Sequence, residues 1–281
     1  GNQKFYLKNA VVIEQLAKVD MIVFDKTGTI TTNKKSDIAF QGNGFNTYEA
    51  RKIMRERNYY GAMMVETGEA DVLISGLTRK YADILKPALY IIGTSENTKR
   101  VAGMYIMITK KGPIFFADTT INVNPTAEEL VEITLLTAEA VRKFNLKPRI
   151  AMVSFSNFGS SKDPQAKKVR QAVQILHEKH PDLVVDGEIQ ANFAFNTQLL
   201  SDNFPFSVLA KEGANTLIFP NLDAGNIAYK LLQEAGEAEA MGPVLLGMKK
   251  PVHILQLGSS VREIVNMVTI AVVDAQSKSQ S

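Results

Sequence analysis

The chain contains no cysteine. That excludes disulfide cross-links, a thiolate nucleophile and cysteine-ligated zinc, and it is compatible with a reducing, cytoplasmic setting. No apolar run reaches the roughly 18 to 20 residues that a membrane span needs, and no signal-peptide pattern opens the sequence. Net charge is also scarce: 32 Lys and Arg stand against 29 Asp and Glu, leaving +3. So even a balance does not point to nucleic acid as a partner. Repeats and low-complexity tracts are missing, apart from a polar end, QSKSQS, that is expected to fray. What remains is ordinary for a globular protein, and 281 residues are enough for about two domains. The start at Gly1 rather than Met suggests a fragment.

Apolar residues at helical spacing occur in LKNAVVIEQLAK (7–18), followed by MIVF (21–24), a short apolar run that reads as a buried strand. NGFNT (43–47) marks a loop, and a long helix is expected from Tyr48 through RKIMRERNYYGAMMVE. Strand-like runs follow at 71–75, 88–92, 103–108, 113–118, 150–154, 182–186 and 215–220. Between them lie helical patterns. Thr126 with Glu129 three residues on forms a capping box, ahead of a stripe of Leu130, Ile133, Val141 and Phe144. Residues 163–180 open with Asp and Pro, both tolerated in a first turn, and further helices are expected over 224–240 and 259–275. Strands alternating with amphipathic helices predict an α/β architecture with largely parallel sheets.

Directly after MIVF comes Asp25-Lys26-Thr27-Gly28-Thr29. A carboxylate at the end of a buried strand suits nucleophilic attack on phosphate, with Mg²⁺ balancing charge. This pentapeptide and the preceding KNAVVIEQLAKVD resemble the heavy-metal-transporting P-type ATPases, whose phosphorylated aspartate lies in DKTGT. The resemblance covers residues 1 to about 42. The family's membrane spans, its Gly-Asp-Gly segment and its nucleotide-binding domain are missing, and one carboxylate without metal partners does not complete phosphoryl transfer. Residues 1–43 are therefore expected to be a fused or orphan segment, with phosphorylation of Asp25 a remote alternative.

From about Gly44 onward the sequence resembles the phosphate acetyl/butyryltransferase family. The resemblance is carried in order by YYGAMMVETGEADVLISGL (59–77), FADTTINVNPTAEELVEIT (116–134), RIAMVSFSNFGSS (149–161), HPDLVVDGEIQANFAFN (180–196), ANTLIFPNLDAGNIAYKLLQ (214–233) and AEAMGPVLLGMKKPVHILQLGSSVREIV (238–265). It implies two α/β domains with a cleft between them for acyl-coenzyme A. The first, incomplete here, comprises 44–97 and 241–281, and the second 98–240. It also implies a homo-oligomer, with acetyl-CoA as ligand or effector and no resident metal. Physically, VSFSNFGSS is a strand entering a loop whose small residues let backbone amides approach a ligand, and FPNLDAGN is a strand end meeting a helix N-terminus. The expected acyl-CoA contacts are Ser154, Asn157, Gly159, Ser160, Asp223, Asn226, Tyr229 and Lys230, with Gly258 and Glu263 from the other domain.

Transfer of acetyl to inorganic phosphate calls for guanidinium groups around the anion. Where active members of the family carry Leu-Ser-Arg-Gly, this chain reads Leu255-Gln256-Leu257-Gly258, with the acidic residue retained as Glu263. A further family Arg aligns with Glu234, and the first domain's Arg-Pro is Lys86-Pro87. Each lost charge-assisted contact costs on the order of 1.5–3 kcal/mol. This pattern resembles the C-terminal domain of bacterial NADP-dependent malic enzymes. It leads to the expectation of a regulatory module that binds acetyl-CoA without transferring its acyl group. No GxGxxG follows a strand, so the dinucleotide-binding catalytic domain is expected elsewhere. The alternative is an active phosphate acetyltransferase with a rearranged phosphate site built from Lys86, Arg79 or Lys230. His177 and His180, Arg51, Lys52, Arg55 and Arg57, and the Met residues read as solvated faces and core filler.

Overall fold

The computed structural model describes residues 22–24 and 47–279. The expected helix over 7–18, the loop at 43–46 and the Asp25 pentapeptide lie outside them. The chain divides into two units, one comprising residues 1–96 and 248–281 and the other 97–247.

In the first unit, β1 (Ile22–Phe24), β2 (Val72–Ser75) and β9 (Val252–Ile254) form a parallel sheet in the order β1-β2-β9. Val72, Ile74 and Leu255 pack against Met267 and Ala271 of the closing helix α9 (Val261–Ser279). The single long helix expected after Tyr48 is two, α1 (Thr47–Ile53) and α2 (Arg57–Thr67). The break has a local cause. Glu56 is extended at ψ 123°, and its carboxylate accepts the Asn58 and Tyr59 amides at 3.0 and 3.2 Å, an N-cap inside an otherwise helical pattern. The apolar run 88–92, expected as a strand, is instead the end of α3 (Tyr81–Ile91). Ile84, Pro87 and Ala88 are buried while Leu89 and Tyr90 face outward, a helical division of faces that five apolar residues cannot reveal.

The second unit holds a six-stranded sheet in the order β6-β5-β7-β4-β3-β8. Its strands are β3 (Ala102–Thr109), β4 (Gly112–Ala117), β5 (Arg149–Val153), β6 (Val184–Ile189), β7 (Thr216–Ile218) and β8 (Glu239–Leu246). β4, β7, β5 and β6 are parallel, and β3 is antiparallel to both β4 and β8. Alternate residues serve opposite faces. Ala151, Val153, Phe116 and Leu217 join Tyr105, Tyr229 and Leu200 in one core. On the other face Phe115 meets Phe144 at a ring separation of 5.8 Å, and Thr134 of α4 (Ala127–Lys143) touches Met152. The capping box of α4 forms in both directions: Thr126 Oγ1 accepts the Glu129 amide, and Glu129 accepts the Thr126 amide.

Asp163, expected inside the first turn, instead caps α5 (Pro164–Lys179), its carboxylate accepting the Gln165 amide. Two short helices that the periodicity did not announce, α6 (Ala191–Phe195) and α7 (Thr197–Asn203), follow β6. α8 spans Leu222–Glu234, shorter than the expected 224–240 at its far end. Glu237 there turns to φ 52°, and β8 begins at Glu239.

Candidate functional site

In open α/β sheets, ligands gather where parallel strands end. In the second unit, β4, β7, β5 and β6 all end on one edge, which collects Asp118, Phe219 to Asn221, Ser154 and Gln190. Six expected contact residues are exposed or half-buried around this edge or on α8: Ser154, Asn157, Gly159 and Ser160 follow β5, and Asp223 and Asn226 open α8. Lys230 is exposed one turn further on, its Nζ 5.2 Å from the Tyr229 ring centroid. Tyr229 itself is buried and stacked on Tyr105 at 3.9 Å, so it supports the helix from within. Glu234 is exposed at the last turn of α8.

The loop after β5 is built differently from the expected amide cradle. Its side chains and amides are largely spent on one another. Ser160 Oγ accepts the Asn157 amide and lies 3.0 Å from Ser156 Oγ, which accepts the Ser161 amide. Asn157 Oδ1 accepts the Gln190 amide at 2.7 Å. The Phe158 amide goes to the Glu188 carbonyl, the Gly159 amide to the Glu188 carboxylate, and the Ser160 amide to the Asn157 carbonyl. Asn157 and Ser160 are therefore loop-formers. Ser154 Oγ and the amides of Phe155 and Ser156 have no partner among the described residues.

Two carboxylates that the sequence reading passed over organise this edge. Asp118 Oδ1 accepts the amides of Gly103, Thr120 and Ile121, and Oδ2 accepts the Asn122 amide and side chain. Asn226 Nδ2 donates to the Thr119 carbonyl at 3.1 Å, tying α8 to the same turn. Glu188, wholly buried, takes Ser156 Oγ, the Gly159 amide and a bidentate Arg170 fork, all at 2.8–2.9 Å. Burial alone pushes the Glu188 carboxyl up, but the Arg170 guanidinium, assisted by Gly159 and Ser156, outweighs it and holds the group below the usual glutamate value. The available signal was a charged residue inside a strand-like run, VVDGEIQ, where a carboxylate must find donors.

In the first unit, β2 and β9 are parallel neighbours, so Gly76 to Arg79 and Gln256 to Gly258 leave the sheet at the same edge. Gly76 has φ 136°, and a Cβ there would come 2.2 Å from the Leu255 carbonyl oxygen, so no side chain fits between the two strand ends. Leu257 and Gly258 are exposed and Gln256 is half-buried. Glu263 is the third residue of α9: its carboxylate accepts the Ser260 amide at 2.6 Å, and Ser260 Oγ accepts the Glu263 amide. This second capping box, legible as Ser260-Val261-Arg262-Glu263, gives the retained acidic residue a helix-starting role. Lys86 is exposed on α3, and Arg79 lies 3.8 Å from Glu56.

A mixed, mostly parallel α/β fold with its polar loops at the strand ends defines the class to which phosphotransacetylases belong. The chain matches the phosphate acetyl/butaryl transferase family over residues 12–272 and belongs to that family. Among its relatives, the phosphate acetyltransferase of Bacillus subtilis (strain 168) is 40% identical over 227 residues, 81% of this chain and 70% of that protein. The NADP-dependent malic enzyme of Escherichia coli (strain K12) is 42% identical over 229 residues, 81% of this chain but 30% of that protein. A crystal structure of a phosphotransacetylase from Streptococcus pyogenes, 42% identical, overlays with a TM-score of 0.78 over 82% of this chain and 70% of that one.

These comparisons correct the expectation of a non-catalytic malic-enzyme regulatory module. The Bacillus subtilis phosphate acetyltransferase matches at comparable identity and over far more of its own length, and solved phosphotransacetylases share the fold. The P-type ATPase resemblance gains no support, and the family match runs through residues 25–29.

Proposed function

We propose that this protein transfers an acyl group between coenzyme A and inorganic phosphate: acyl-CoA + phosphate ⇌ acyl phosphate + CoA. A phosphate oxygen attacks the thioester carbonyl, the new C–O bond forms, the C–S bond breaks, and the thiolate leaves to take up a proton. The observation that carries this reading is the match to phosphate acetyltransferases at 40% identity across 70% of their length. The phosphotransacetylase fold at a TM-score of 0.78 supports it.

The second unit's strand-end edge, with Ser154 Oγ and the Phe155 amide unpartnered among the described residues, suits the oxygen-rich ligand. With Leu257 and Glu234 in place of guanidinium groups, the cations considered for the anion are Lys86 or Arg79 in the first unit, or Lys230 in the second. A lysine serves as a point charge and not as a bidentate fork, so phosphate is expected to bind weakly.

The test is acetyl phosphate formation by the purified chain from acetyl-CoA and phosphate, followed as thiol release. Lys86→Ala, Arg79→Ala and Lys230→Ala are each assayed for phosphate KM. Phosphate-dependent thiol release, with KM for phosphate raised in at least one variant, supports the reading. Absence of turnover at saturating phosphate refutes it.

A further inference from the structure

We propose that Glu188 and Arg170 are positioning residues: an ion pair on β6 and α5, its carboxylate wholly buried, that sets the β5 loop so that Ser154 Oγ and the Phe155 amide stand ready for an oxygen of the acyl-CoA. The inference rests on the acyltransferase reading above and adds to it two residues that touch no substrate.

The loop needs such a support. Phe158 lies at φ 42°, a conformation non-glycine residues seldom adopt, and Gly159 follows at φ 92°. Two successive left-handed residues persist only where the surroundings hold them. Glu188 does so from three directions: its carboxylate takes the Ser156 hydroxyl and the Gly159 amide, and its carbonyl takes the Phe158 amide. Arg170 fixes the carboxylate in turn with Nε and Nη2, while Nη2 also reaches the Ser161 carbonyl at 3.0 Å, closing the far end of the loop. A Cβ at Gly159 would sit 3.6 Å from the Arg170 guanidinium carbon, so the turn lies directly over the ion pair.

Amides from Asn157 to Ser161 are consumed by this arrangement, and the donors without partners among the described residues are those that leave β5 first. Glu188 takes the Gly159 amide with its carboxylate and the Phe158 amide with its carbonyl, and the loop's own groups take the rest, so Glu188 anchors the turn just beyond the unpartnered donors. Arg170 keeps 40% of its side chain exposed while Glu188 keeps none, so Arg170→Lys, which retains the cation, loosens the fork without leaving the buried carboxylate unpaired.

The test uses the full chain and the variants Glu188→Gln and Arg170→Lys. Acetyl-CoA affinity is measured by calorimetry, kcat and both KM values by thiol release, and folding by thermal denaturation. Arg170→Lys is the variant expected to remain fully folded. The expected result is KM and Kd for acetyl-CoA raised about tenfold, the loss carried by one misplaced hydrogen bond of ordinary strength. The KM for phosphate stays unchanged and kcat changes less than KM. Glu188→Gln, which keeps the shape and one acceptor, is expected to exceed Arg170→Lys in effect. A fall in kcat at unchanged acetyl-CoA KM in Arg170→Lys, or unaltered kinetics in a folded variant, overturns the inference while leaving the transferase reading intact. A wild-type chain that neither binds nor converts acetyl-CoA removes both.

Discussion

Replacing Gly225 by Ala sets two effects of opposite sign against each other at one position. Gly225 is in the first turn of α8, where Ala stabilises a helix by about 1 kcal/mol relative to Gly. A Cβ at this position, however, would come 2.2 Å from the backbone carbonyl oxygen of Asp118 and 3.4 Å from Phe219 Cβ. Ordinary C···O contacts begin near 3.3 Å, so the helix or the turn must withdraw by about 1 Å. The turn resists, because the Asp118 carboxylate holds the amides of Thr120, Ile121 and Asn122. The helix is therefore what moves, and the Asn226 bond to the Thr119 carbonyl stretches from 3.1 Å.

Overpacking of this kind costs about 1–3 kcal/mol, and the weakened hydrogen bond about 1 kcal/mol more. Setting the helix preference against these leaves a net loss of about 1–3 kcal/mol. For a unit of this size the expected fall in Tm is about 2–12 °C. Circular dichroism melts of wild type and Gly225→Ala measure it directly. An equal or higher Tm in the variant would show that intrinsic helix preference governs the site, and would refute the claim that α8 is seated by close backbone contact.

Two further outcomes follow from the same geometry. The Glu188 carboxyl is held below the ordinary value of 4.5, so the folded state releases its proton more readily than the unfolded chain. The stabilisation is present above the unfolded value and disappears as pH falls through the folded one. Tm of the wild type is expected to drop more steeply than that of Glu188→Gln below about pH 4.5, and parallel curves would contradict this. Thr126→Ala removes the hydroxyl that accepts the Glu129 amide and is expected to cost about 1 kcal/mol, read as a lowered urea midpoint at unchanged slope.

The legible parts of this protein are those where chemistry is local. Thr126 and Glu129 announced a helix start because both bonds close within one turn, and Asp163 followed by Pro164 did the same for α5. The strands at 103–108 and 113–118 emerged within a residue at each end because their apolar side chains fill both faces of a sheet. Glu56 illustrates a local signal that was present and overridden in the reading: a carboxylate two and three residues ahead of the amides it accepts, concealed by the helical residues around it. The run 88–92 shows the converse, since the same apolar residues serve a helix or a strand until the partner surface is known.

The candidate site divides along the same line. The sequence by itself determined the family, the strand-end loops and the residue types they carry, because these depend on the order of side chains along the chain. Which of those side chains remain for a ligand was decided only in three dimensions. Glu188 reaches Ser156 across 32 residues and Arg170 across 18, and Asp118 stands against α8 through the bare backbone of Gly225. A buried carboxylate must collect donors wherever the fold brings them, and the loop conformation follows from that distant demand.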